Sequence, residues 1–339
     1  MNNIFAVDEL TELSVSRLVS VGLDKEQAQD VAQVLVYADA RGINSHGVIR
    51  VPHYVKRIKS GGINLDSDFP VCSISESAFL MDAKGGMGHV ALKRFSSYLA
   101  DKAKEKGFVL GGIKNSSHAG AIGYYASLLA DKGLISLIFA NTDPAVVPYG
   151  GKRPFLGTNP VTFCFPGKKE RFLLDMATSE TSLGTILFAR ERGERIPHGW
   201  AVDESGKSVD DPERAKYLLP FGGYKGYGIM LMVEFLTGVL IGGSYGPNLV
   251  KMYGDMDKLR DLSVWLLVMD PGIFRSKEAV MAMADELIAT LRSEPPAEGT
   301  EKILIAGDLA EKNYKESLKS GIKLPEKLAK YMRGLIDEV

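Results

Sequence analysis

The chain has 339 residues, with 41 Lys and Arg against 42 Asp and Glu, a formal charge of −1. That balance offers no basic face to a nucleic acid or an anionic membrane, and 45% hydrophobic with 24% charged residues describes a folded globular chain. Two cysteines without a CxxC pair, Cys72 and Cys164, exclude a disulfide framework and a zinc knuckle and read as buried apolar thiols. Met1 to Glu9 lack a basic stretch followed by an apolar one, so the protein is expected in the cytoplasm.

The first sixty residues read as helices. Asp24 with Gln27 resembles a capping box, opening a helix that runs to Ala40. A second start at Ser45 leads to a stop at Gly61–Gly62. After Pro70 strands and helices alternate: strand 78–83, helix 90–106, strand 108–113, helix 121–131, strand 134–140, strands 161–165 and 171–177, then a helix near 181–192. The polar, Gly- and Pro-marked stretch 197–223 reads as a long loop, which in a compact domain tends to be functional. An apolar helix over 226–241 is too short to span a bilayer and carries Glu234 at its middle, so it reads as a buried helix. A strand over 262–269, a helix near 276–292, a linker at 294–300 and a Lys-rich helical tail complete the chain. This pattern predicts an α/β body over 73–289, flanked by a helical domain built from 1–72 and 290–339.

Several residues stand out for chemistry. GMGHVA (86–91) matches G-x-G-x-x-A between a strand and a helix, but the next strand ends in Lys114–Asn115, with no acid to take a ribose, so the glycines read as a tight turn. A helix from Ser45 would place His46, Arg50, Tyr54 and Arg57 on one face, which is either a carboxylate seat with Arg50 as a bidentate clamp or a solvated amphipathic face. His118 stands where a strand ends and a helix begins, the edge at which ligands of α/β sheets collect, and reads as a proton acceptor or as a packed turn residue. Lys225, ahead of the apolar helix, sits against the helix dipole and suggests a ligand phosphate or carboxylate, or simply an exposed loop lysine. Asp175 at a strand end is a similar case. His53, His89 and His198 have no partner spacing. No HxH, HExxH, GxSxG or acidic cluster appears, so no metal site or serine nucleophile is expected.

The blocks ADARGINSHGVIR (38–50), NSSHAGAIGYYA (115–126), PYGG (148–151), LGTNP (156–160), DMATS (175–179), IPHGWAVDESG (196–206) and KGYG (225–228) occur in one order over nearly the whole chain. They resemble the malate/L-lactate dehydrogenase-like family, which also holds sulfolactate and ureidoglycolate dehydrogenases and diketogulonate reductase. VLVYADARGINSHG and the run 238–256 look most like the ureidoglycolate dehydrogenases. The resemblance implies a non-Rossmann α/β/α body with a mixed sheet that binds NAD, or NADP, without a glycine fingerprint. It implies a homodimer acting on a small 2-hydroxy carboxylate, with no nucleic acid or membrane partner. His118 falls on the family's catalytic histidine. Ser45, His46, Arg50 and Tyr54 match the substrate-facing block, and His46 is the proton carrier in some relatives. Thr142, Asp175, Met176, Ala177 and Lys225 fall on cofactor-contacting segments. The family's PGE turn is replaced by Ala306–Gly307–Asp308. The expected reaction is oxidation of (S)-ureidoglycolate to oxalurate. The alternatives are a malate, lactate or sulfolactate dehydrogenase, a metal-dependent hydrolase or lyase using His46 and His118, and a binding module without turnover.

Overall fold

Residues 3–66 and 68–338 are described by the structure, a computed structural model; Met1, Asn2, Ser67 and Val339 lie outside the described residues. The two ends of the chain meet. β1 (Ile4–Phe5) precedes α1 (Val7–Val19) and pairs antiparallel with a strand near the C-terminus at Ile322–Lys323. α2 (Lys25–Ala40) opens on Asp24, whose carboxylate accepts the Glu26 and Gln27 amides, a cap of about 1 kcal/mol. Gln27 does not complete a capping box; its side-chain amide donates to the Leu65 carbonyl.

The helix expected from Ser45 begins instead at Val51 (α3, Val51–Lys59). Asn44–His46 and Val48–Arg50 are single 3-10 turns separated at Gly47. The cause is Asp39. Its buried carboxylate accepts the Val48 amide at 2.7 Å, which removes that donor from any helical ladder. A Cβ on Gly47 would fall 2.0 Å from Asp39 Oδ1, so the turn and the carboxylate share one space.

The body is a seven-stranded mixed sheet. In chain order it takes β2 (Val71–Ser75), which pattern reading missed, and β3 (Ala78–Asp82), then α4 (Gly88–Lys106) and β4 (Phe108–Ser116). α5 (Gly123–Asp131), β5 (Ile135–Ala140), β6 (Val161–Pro166), β7 (Arg171–Met176) and α6 (Leu183–Arg192) follow. The stretch expected to be a loop folds into a small antiparallel sheet, β8 (Ala201–Val202), β9 (Ser208–Val209) and β10 (Tyr217–Leu218), ahead of α7 (Tyr224–Glu234). β11 (Leu262–Met269), α8 (Lys277–Ser293), α9 (Asp308–Ser320), β12 (Ile322–Lys323) and α10 (Glu326–Met332) close the chain.

The strand order is β2-β3-β4-β11-β5-β6-β7. Only β3 and β4 pair in parallel, with α4 as their crossover, and β11 inserts antiparallel between β4 and β5. Adjacent glycines on β4 mark the layers on either side. A Cβ on Gly111 would meet Phe95 and Leu99 of α4, and one on Gly112 would meet Ile241 beyond α7. Helices therefore cover both faces, the expected α/β/α arrangement. One apolar core lies between the sheet and α4/α5. A second joins Phe5, Leu10 and Leu18 to Leu328, Tyr331 and Met332, and a third gathers Val146, Ile186, Leu218 and Met230 around the small sheet.

Two further expectations fail. Cys164 is buried, but Cys72 is exposed on β2, whose outer edge in the sheet has no further strand. α7, continued by a π turn at Phe235–Val239, is not a buried helix. Met230, Val233, Glu234 and Thr237 face inward, whereas Tyr224, Met232, Phe235, Val239 and Leu240 lie exposed, the last at 68%. Composition alone could not separate a helix buried all round from one buried on one stripe. Among the described residues no helix is long and apolar enough to cross a membrane.

Candidate active site

Strand direction builds the site. β4 and β5 both run antiparallel to β11, and β7 is related to β5 through two antiparallel steps, so β4, β5 and β7 share one direction. Their carboxyl ends and the amino end of β11 lie on one edge of the sheet, where α/β folds collect ligands. A cavity of about 200 Å³ opens there. Ser117 to Ile122 line it after β4, Asn141 and Thr142 after β5, Asp175 to Ala177 at the end of β7, and Leu262 and Ser263 at the start of β11. His46 closes it from the helical ends of the chain.

His118 stands in the loop between β4 and α5, held by three contacts. The Tyr54 hydroxyl lies 2.7 Å from its Nδ1, the Gly120 amide donates to the same atom at 3.3 Å, and the His46 ring stacks on it with centroids 5.6 Å apart. Burial first, then the charges of His46 and Arg50, holds the His118 imidazole well below its ordinary value. Burial, and after it the charge of Arg50, brings His46 to about 4. Both rings are therefore neutral near pH 7, the state in which an imidazole can accept a proton. Ser45 contributes its hydroxyl to His46 Nδ1 at 2.9 Å. Behind them sits His89, in the first turn of α4 and fully buried, which spacing gave no reason to select. GMGHVA is the tight turn expected of it: Gly88 donates its amide to Ser117 Oγ at 2.9 Å, and a Cβ there would lie 2.3 Å from the Ser117 carbonyl.

The proposed helical stripe does not form one face. Arg50, in the 3-10 turn, donates its Nε to the Ser45 carbonyl at 2.6 Å and contacts Met252 and the Tyr253 hydroxyl. It has no carboxylate partner among the described residues; it does not line the cavity itself but is held beside His46, and its charge depresses both His46 and His118. Tyr54 is buried behind His118. Arg57 points elsewhere and is 1% exposed, giving its two terminal nitrogens to the carbonyls of Lys251, Met252, Gly254, Asp255 and Lys258. That loop carries Tyr253 and leads to Arg260, a second guanidinium that sequence reading missed. Arg260 is buried in an ion pair with Asp143, whose other oxygen accepts the Met252 amide at 3.1 Å. The pair joins positions 117 apart in sequence, a separation no local pattern reports.

The expected cofactor residues divide. Thr142 lines the cavity, accepting the Thr158 amide on Oγ1 at 2.8 Å while its own amide donates to Asn159 Oδ1. Asp175 accepts from the Gly123 amide and from Thr162 Oγ1, and burial raises its carboxyl above the ordinary range. Met176 and Ala177 line the same wall. Lys225, exposed in the first turn of α7, lies outside this lining. Among the described residues no group of three or more His, Cys, Asp or Glu has the arrangement of a metal site.

Residues 5–333 match the family model described as malate/L-lactate dehydrogenase. The chain is 36% identical over 326 residues to a ureidoglycolate dehydrogenase (NAD(+)) of Escherichia coli O157:H7, covering 96% of this chain and 93% of that protein. It is 34% identical over 331 residues to a malate dehydrogenase of Pyrococcus abyssi, covering 95% and 91%. The solved sulfolactate dehydrogenase of Methanocaldococcus jannaschii superposes with a TM-score of 0.92 at 34% identity, covering 98% of this chain and 96% of that one. The chain belongs to the malate/L-lactate dehydrogenase family, dehydrogenases that act on hydroxy acids with a nicotinamide cofactor.

Proposed function

We propose that this enzyme oxidises (S)-ureidoglycolate to oxalurate with NAD+. The observation that carries the reading is the neutral, stacked His46–His118 pair lining one cavity, with the guanidinium of Arg50 near enough that its charge depresses both rings. The wall made by Ala119, Gly120, Ala121, Ala140 and Ala177 is narrow and largely apolar, which suits a flat ring, and Ser263 Oγ at this cavity is a buried polar atom without a partner. These features fit a nicotinamide, with Thr142, Asp175, Met176 and Ala177 as the residues that would hold the cofactor there. The bound nicotinamide supplies the acceptor for the carbinol hydride.

Arg50 holds the substrate carboxylate through its planar fork, and His118 takes the hydroxyl proton. The two roles are coupled. Arg50 is one of the charges that depress His118, so a carboxylate seated on Arg50 offsets that charge and raises the basicity of His118 when the substrate is in place. The group beyond Arg50 bears on the substrate. Asp143 neutralises Arg260 in a buried pair behind the loop that places Tyr253 against Arg50, so Arg260 offers no second free cation to a substrate. That environment favours a neutral ureido group over the second anion of malate or sulfolactate.

A panel of (S)-ureidoglycolate, malate, lactate and sulfolactate, each run with NAD+ and NADP+ and read at the reduced-nicotinamide absorbance, tests the reading. Ureidoglycolate with NAD+ should give the highest kcat/KM, with full activity in excess chelator. A dianion preferred by tenfold or more would overturn the substrate, and loss of activity in chelator would favour a metal-dependent hydrolase or lyase. Arg50→Lys should raise KM by about tenfold with a smaller change in kcat, because a point charge does not reproduce a bidentate clamp. An unchanged KM would remove Arg50 from carboxylate binding.

The exposed apolar face of α7 supports a homodimer, since Tyr224, Phe235, Val239 and Leu240 on one strip exceed the scattered apolar residues of a monomer surface. Sedimentation equilibrium should give twice the chain mass, and Phe235→Glu should shift it to the chain mass. A monomeric wild type would contradict this assignment.

A further inference from the structure

The turn that carries His46 and Arg50 rests on a buried carboxylate that the reaction, as derived, does not use. Inside Asn44–Arg50 the backbone bonds are local: the His46 amide donates to Ile43, Gly47 to Asn44 and Arg50 to Gly47. Such bonds shape the turn without fixing it to the body of the protein. Val48 anchors it. Its side chain is buried in the core of the helical ends, and its amide donates to Asp39 Oδ2 at 2.7 Å. Asp39, near the end of α2, is itself 6% exposed. Its carboxylate also lies directly against Gly47: a Cβ there would fall 2.0 Å from Oδ1, 2.1 Å from Cγ and 2.3 Å from Oδ2. The Gly47 backbone is extended, with φ −86° and ψ −158°, and carries no positive φ that would demand glycine. Glycine is therefore required at 47 by the carboxylate beside it.

We propose that Asp39 is a positioning residue for substrate capture: by accepting the Val48 amide it sets the turn that stacks His46 on His118 and holds Arg50 beside them. This rests on the proposed roles of Arg50 and His118 toward the substrate. Asp39 does not line the cavity, so it acts only through the turn. Its part is that of an acceptor and not of a counter-charge. Burial pushes its carboxyl up to about 7, opposed only by the Val48 amide, and no cation enters that balance. An amide oxygen at position 39 would accept the same bond. With the Val48 amide released, residues 45–50 are free to join the helix that their spacing predicts, which undoes the Arg50 Nε bond to the Ser45 carbonyl. The wall assigned to the nicotinamide comes from the segments after β5 and at the end of β7, so the cofactor is not touched by this change.

The test combines steady-state kinetics on the best substrate of the panel with amide exchange at Val48 followed by NMR. D39A should raise KM on the order of tenfold, the loss expected from one buried hydrogen bond, with kcat and the cofactor dissociation constant within a few-fold. D39N, which keeps an acceptor, should restore KM to within a few-fold of wild type. G47A, which drives a Cβ into the carboxylate, should raise KM at least as much as D39A. In D39A/G47A that space is vacant, so the loss should not exceed that of D39A alone. Val48 exchange should be slow in the wild type and D39N and fast in D39A. An unchanged KM in D39A, a D39N as impaired as D39A, losses that add in the double variant, or fast Val48 exchange in the wild type would each overturn the proposal. Should D39A not fold, G47A and D39N decide it, since KM must rise in the first and hold in the second. A wild type that turns over no 2-hydroxy acid would defeat the proposed function, while Val48 exchange would still judge the anchor.

Discussion

His118→Ala should lower kcat by about 10²–10⁴-fold, the range that a positioned general base contributes, and should leave the dissociation constant of the nicotinamide cofactor within a few-fold. Steady-state kinetics and a fluorescence titration of the cofactor separate the two effects. The expectation follows from position: His118 lines the cavity at the carboxyl end of β4, and its shortest contact is to Tyr54, which lies outside the wall assigned to the nicotinamide. His46 stacks 5.6 Å away but is neutral, its Nδ1 already engaged by Ser45, and it has no counterpart of the Tyr54 contact. A small effect of His118→Ala beside a large one of His46→Ala would transfer the proton to His46.

The second large effect is on stability. Arg57→Leu should lower the unfolding free energy by about 3–5 kcal/mol, the cost of breaking a buried charged network from one side. Five backbone carbonyls between Lys251 and Lys258 lose the Arg57 donor together, and of these only the Asp255 carbonyl keeps another, the Lys258 amide at 3.0 Å. Differential scanning calorimetry should show a Tm decrease on the order of 10 °C. The effect should extend to binding. The loop holds Tyr253 against Arg50 and donates the Met252 amide to Asp143, so KM should rise in the same variant. A Tm within 2 °C of wild type (roughly 1 kcal/mol) together with an unchanged KM would show that the loop holds itself.

Much of this architecture was readable from the chain, and the parts that were not share a cause. Strands β3 to β7 and β11 announce themselves by apolar runs between turn signals, and the ordered blocks from ADARGINSHG to KGYG identify the family. Local signals end where a distant group decides. The turn at Asn44–Arg50 looks helical until Asp39, on the preceding helix, takes the Val48 amide. Arg57 shares a nominal helix stripe with Arg50, yet it is captured by carbonyls almost 200 positions away. His89 sits inside a glycine motif that reads only as a tight turn, and its neighbour Tyr54 is 35 positions upstream. Arg260 and Asp143 meet only because β11 inserts beside β5. The exposed stripe of α7 has the composition of a core helix, and only its surroundings show that one side is uncovered.

The central claim is that the hydrogen on the hydroxyl-bearing carbon leaves as a hydride to the nicotinamide while the hydroxyl proton goes to the protein. The direct measurement follows that hydrogen. The best substrate of the panel, deuterated at the carbinol carbon, is turned over with NAD+, and the reduced cofactor is analysed by mass spectrometry. The account predicts one deuterium in each reduced nicotinamide and none released to water. Deuterium in the solvent, or product formed without reduced cofactor, would contradict it.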